Sequence, residues 1–70
     1  MRENLKKARK EKGLTQQQVA DRLNICLRHY KKIESGETGG SIEIWDKLED
    51  MFNIHQRVLR EIHHDTKDNR

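Results

Sequence analysis

Apolar residues recur along this chain at helical spacing, in short stretches punctuated by glycine or asparagine. Leu5 and Ala8 give a first helix its apolar stripe over about residues 2–12, and Gly13 suits the left-handed position past its end. Thr15-Gln16-Gln17-Gln18 matches a capping box, so a second helix starts just after Thr15. Val19, Ala20 and Leu23 form its inner face, and Asn24 tolerates the left-handed conformation that ends it. A third helix is expected over 27–35, with Tyr30 and Ile33 inward and Gly36 closing it. Glu37-Thr38-Gly39-Gly40 reads as a loop and Ser41 as the N-cap of a fourth helix. Glu43 complements that helix's dipole. Ile44, Trp45, Leu48, Met51 and Phe52 make a broad apolar stripe that Asn53 interrupts. A fifth helix is expected over 55–63, with Val58, Leu59 and Ile62 inward. The pattern is all-α: five short helices, no strand signal, one domain over 1–64 and a frayed tail over 65–70.

Composition pulls the other way. Only 31% of the 70 residues are hydrophobic and 39% are charged, a balance that leans towards disorder. The helical periodicity outweighs it, but so small a core needs a compact helical fold or a dimer that buries extra surface. One cysteine, Cys26, rules out an intrachain disulfide and fits a reducing compartment. No apolar run approaches the ~18 residues of a membrane span, and the opening MRENLKKARKEKG has no apolar signal core. The expectation is a soluble, cytoplasmic protein.

Charge is unevenly spread. Residues 1–36 hold ten Lys/Arg and four Asp/Glu, whereas 37–70 hold five and eight, so a net +6 adjoins a net −3. That split fits a face made for a polyanion and an ordinary solvated surface equally well. The third helix sharpens the first reading. Asn24-Ile25-Cys26 is so short a link that the second and third helices must cross at a sharp angle, the helix-turn-helix arrangement, with small Ala20 at the crossing. On a helical wheel Tyr30, Ile33 and Glu34 share one side; Arg28, Lys31, Lys32 and Ser35 share the other. A major groove accepts such a helix, arginine can bind guanine O6 and N7, and Leu27 can meet a thymine methyl.

Gly13-Leu14-Thr15-Gln16-Gln17-Gln18-Val19-Ala20, then Leu23-Asn24-Ile25 and Ile33-Glu34-Ser35-Gly36, strongly resembles the Cro-type, lambda-repressor-like helix-turn-helix family. The combination at these spacings is specific, and the resemblance covers about residues 2–54. It implies a five-helix domain whose third helix reads the major groove of double-stranded DNA, in a transcriptional regulator, here expected to be a repressor of bacterial or phage origin. Carried over position by position, it implies base contacts from Leu27, Arg28 and Lys32; Lys31, on the same exposed face, is added to them. It implies a phosphate contact from Gln16, to which His29 and first-helix cations are added, and a partly buried ion pair between Arg9 and Glu34. Asn24 stands where the family often has Gly, Cys26 where it has a Ser/Thr cap, and Tyr30 where an aliphatic residue is frequent. The Tyr30 hydroxyl is expected at solvent or phosphate.

Other constellations are thinner. His55 and His63 lie i, i+8 beside His64 and Asp65, but no second motif completes four metal ligands, so solvated histidines are expected. A helix N-terminus can lower a thiol pKa, which keeps a redox role for Cys26 in view behind the plainer one of a weak cap. No nucleophilic triad, carboxylate pair or phosphate loop is present; the chain reads as non-enzymatic and without cofactor. Val58, Leu59 and Ile62 are the candidate homodimer surface, since two-fold symmetry doubles contacts on a palindromic operator. The alternative is a protein-interaction module on the same fold, an antitoxin or adaptor whose main partner is a protein.

Overall fold

A computed structural model describes residues 1–62. Its order is α1 (Glu3–Glu11), α2 (Gln16–Leu23), α3 (Leu27–Ser35), α4 (Ile42–Phe52) and α5 (Gln56–Leu59). The described residues contain no strand. No helix among them is long and apolar enough to cross a membrane.

The boundaries follow from local chemistry. Thr15 Oγ1 accepts from the Gln18 amide at 3.1 Å while Gln18 Oε1 accepts from the Thr15 amide at 2.8 Å. This reciprocal box satisfies amides that have no partner inside α2. Asn24 takes φ 60° and ends α2, letting the Ile25 amide reach back to Ala20 O at 3.0 Å. Cys26 caps α3 without a side-chain hydrogen bond. At the other end Gly36, at φ +92°, donates to Ile33 O at 3.2 Å and Glu37 donates to Lys32 O at 2.9 Å. That is the paired bonding of a Schellman motif, and it fixes Glu37 to the helix. Ser41 Oγ accepts from Ile44 at the start of α4, and Asn53 at φ 54° ends it.

Every helix contributes to the core, from Leu59 alone in α5 to Ile44, Trp45, Leu48 and Phe52 in α4. Leu5, Val19, Tyr30, Ile33, Trp45, Leu48 and Leu59 are all essentially inaccessible. Ala20 is wholly buried at the α2–α3 contact, where a larger side chain would force the helices apart. Ile25 packs half-buried beneath the turn.

α5 differs from the sequence expectation. It spans four residues rather than nine, and of its three apolar residues only Leu59 points inward; Val58 and Ile62 are 45% and 40% exposed. The carbonyls that would continue the helix are taken. Val58 O accepts from Glu61 N at 3.3 Å and from Asn4 Nδ2 at 3.1 Å. Arg60 O accepts from Arg2 Nε at 3.1 Å. The expected tail over 65–70 lies outside the described residues, as do His63 and His64 before it.

Arg2 is the largest departure from expectation. Its guanidinium is buried and also donates from Nη1 to Ile33 O at 2.6 Å and Thr38 O at 2.9 Å, while its amide donates to Glu34 O at 2.9 Å. Ile33 O and Glu34 O belong to the last turn of α3, whose carbonyls lack helical partners and carry the negative end of the dipole. The guanidinium also stacks 5.2 Å from the Trp45 ring centroid. Burial, followed by the charge of Arg60, lowers its pKa from the ordinary arginine value. The N-terminus, the end of α3, the following loop and the end of α5 thereby become one body.

Candidate nucleic-acid interface

The short turn and the two left-handed asparagine and glycine positions leave α3 packed by one side only. Tyr30, Ile33 and Glu34 are buried; Arg28, Lys31 and Lys32 are exposed; Leu27, His29 and Ser35 are half-buried. The structure brings Leu27, Arg28, Lys31 and Lys32 together with Ser35 and Glu37 around one shallow groove of about 450 Å³. Three cations therefore line a single convex helix face. Among the described residues none of them forms an ion pair, so all three charges remain available.

The buried side of α3 is polar at one point, and the polarity is fully used. Glu34 is 2% exposed. Its Oε2 accepts from Arg9 Nε at 2.9 Å and from the Tyr30 hydroxyl at 2.7 Å. Its Oε1 accepts from Arg9 Nη2 at 3.3 Å and Gln16 Nε2 at 3.1 Å. Arg9 Nη1 goes on to Leu14 O at 2.8 Å. A buried carboxylate is tolerable only with such partners. The hydrogen bond to Glu34 is the main reason the Arg9 pKa rises, opposed by burial. Burial above all, then the hydrogen bond to Glu34, raises the Tyr30 pKa well above the ordinary tyrosine value. Both shifts favour the protonated Arg9 and Tyr30 that the geometry shows. The network joins α1, the start of α2 and α3, and so fixes the roll of the exposed cations about the α3 axis.

One expectation changes here. The Tyr30 hydroxyl turns inward to Glu34 instead of reaching solvent or phosphate, because the carboxylate offers a charged acceptor in a dry site. Gln16 is half-buried and donates an amide N–H to Glu34 at 3.1 Å, which ties the start of α2 to α3. Lys6, Lys7 and Lys10 border a separate groove on α1 with Glu3, Asn4 and Glu11. Among the described residues no group of three or more His, Cys, Asp or Glu side chains is placed to hold a metal, and Cys26 is an exposed free thiol.

Sequence reasoning missed Arg2 and the inward hydroxyl of Tyr30. The Tyr30 contact had a readable signal, since Tyr30 and Glu34 are i, i+4 on the same helix face. Arg2 had none, because its acceptors are backbone carbonyls.

An exposed cationic helix, presented by a tight turn and braced from behind by a buried carboxylate, defines a DNA-binding domain of the helix-turn-helix class. A family model described as "Helix-turn-helix" matches residues 5–55, and the chain belongs to this Cro-type, lambda-repressor-like family. The chain is also similar to a Bacillus subtilis (strain 168) protein named "Uncharacterized HTH-type transcriptional regulator YqaF". The two are 34% identical over 73 residues, covering 97% of this chain and 96% of that one. No solved structure matches it.

Proposed function

We propose that the protein is a transcriptional repressor that binds a two-fold-symmetric DNA operator through α3. The observation that carries this reading is the set of exposed Arg28, Lys31 and Lys32, without ion pairs among the described residues, on one face of a helix whose opposite face is buried. Arg28, Lys31, Lys32 and Leu27 are the base-contacting set, and His29, Gln16 and the α1 lysines supply phosphate contacts. The name of the Bacillus subtilis relative supports a regulatory role. Repression follows from occupancy: a domain bound across a promoter blocks access to it.

The domain binds as a homodimer. Val58 and Ile62 are the exposed apolar residues at α5. Ile62 lies against Gly36 at the C-terminal end of α3, with side-chain atoms 3.7 and 3.8 Å from where a Cβ on that glycine would sit. A two-fold contact there sets the spacing of two α3 helices directly, for half-sites about 34 Å apart. Leu59, expected in that contact, belongs instead to the monomer core.

Selection from a random duplex library, followed by affinity measurement at two salt concentrations, tests the reading. The expected result is a palindromic motif bound far above random DNA, with a salt slope reporting several phosphate contacts. Weak, sequence-blind binding would overturn it. A mass that stays monomeric at hundreds of micromolar, with and without operator, would overturn the dimer.

A further inference from the structure

The cationic groove of α3 contains one acid. Glu37 lines it beside Leu27, Arg28, Lys31, Lys32 and Ser35. The loop position would ordinarily let such a side chain drift, but here its backbone is part of the α3 cap. The Glu37 amide donates to Lys32 O at 2.9 Å, behind the left-handed Gly36. Ser35 Oγ lies 3.4 Å from Glu37 Oε2 and the same distance from the Glu37 amide. The carboxylate is exposed and, among the described residues, takes no ion pair with the cations around it. A fixed, unneutralised acid on a surface for a polyanion weakens every phosphate contact near it. It is useful only if it meets a donor on the DNA, and the base edge that offers one to a carboxylate in the major groove is the N4 amine of cytosine.

We propose that Glu37 is a specificity-determining residue: its carboxylate accepts from a cytosine N4 amine at one position of each half-site and repels the backbone of DNA lacking that cytosine. The inference rests on the reading of α3 as the DNA-binding helix. Affinity for non-cognate duplex is lowered by the charge, and affinity for the cognate site is restored by the contact, so the ratio between them widens.

The test compares the full chain with Glu37→Gln and Glu37→Asp, using duplex-library selection and affinities for random duplex at low and high salt. The parent should enrich cytosine at one position per half-site by about tenfold over the other bases. Glu37→Gln should lose that enrichment, bind random duplex several-fold more tightly at low salt and lose the gain at high salt. Glu37→Asp keeps the charge but shortens the reach, so it should lose the cytosine preference while random-duplex affinity stays at the parent level. Identical motifs for all three proteins would overturn the inference, as would a uniform gain in affinity on every sequence with the motif intact. A parent that enriches no motif would overturn the DNA-reading function itself, a separate outcome. The side chain is exposed, and all three proteins should melt together, so differences in binding are not differences in folding.

Discussion

Glu34 and Arg2 are both charged, both buried, and both brace the C-terminal end of α3, yet they are satisfied in different ways. Glu34 collects its four hydrogen bonds from the side chains of Arg9, Gln16 and Tyr30. Arg2 gives its three guanidinium hydrogen bonds to the backbone carbonyls of Ile33, Thr38 and Arg60. The first hub depends on the identity of its partners; the second depends only on where the chain runs. A side-chain network can be broken by substituting any member, whereas the carbonyls around Arg2 cannot be mutated away, so that hub fails only through Arg2 itself or through the path of the loop.

Substitutions separate the two. Glu34→Ala should have the largest effect, about 3–5 kcal/mol, because it strands the buried Arg9 guanidinium; urea melts read this directly. Arg9→Ala should cost a similar amount, and the double variant less than the sum of the two. A Glu34→Ala protein that melts with the parent would remove the buried pair from the account of stability. Arg2→Met keeps an apolar chain near Trp45 but removes the donors, and should cost about 2 kcal/mol. It should also change Trp45 emission, since the guanidinium over the ring is gone.

Tyr30→Phe should cost about 1–2 kcal/mol and alter the alkaline limb of stability. The folded-state Tyr30 pKa lies above its unfolded value, so the folded chain holds the phenolic proton more tightly. That contribution is fully present below the unfolded tyrosine pKa of about 10 and is lost as pH rises beyond it. Stability of the parent should therefore fall above that pH, and Tyr30→Phe should fall less; parallel curves would refute the assignment. Smallest of all, Arg28→Ala should shift stability by no more than about 0.5 kcal/mol, because the side chain is exposed and has no ion pair among the described residues. The same change should weaken operator binding by about 1–3 kcal/mol and relax the preference at one base pair.

The contrast also explains what was legible in the chain. The helix boundaries were readable wherever a residue carries its own signal: the Thr15–Gln18 box, Asn24, Gly36, Ser41 and Asn53 all sit where their types predict. The split of α3 into a buried and a cationic side followed from spacing, and Glu34 on the inner side called for a cation. α5 was overextended because its apolar residues are helically spaced; what stops it is the competition of Asn4 and Arg2 for its carbonyls, two side chains from the far end of the chain. Arg2 itself looked like one more surface charge in a basic stretch. A donor aimed at backbone leaves no partner residue in the sequence to announce it.

The bonds of Arg2 reach 31, 36 and 58 residues along the chain. During synthesis the last of these bonds therefore waits for the sixtieth residue. The capping box of α2 and the glycine turns after α1 and α3 can form as each segment emerges, but the bond from Arg2 Nε to Arg60 O has no acceptor until nearly all of the described chain exists. Closing that bond is a late latch, coupling arrival of the end of α5 to the final posture of the helix proposed to read DNA.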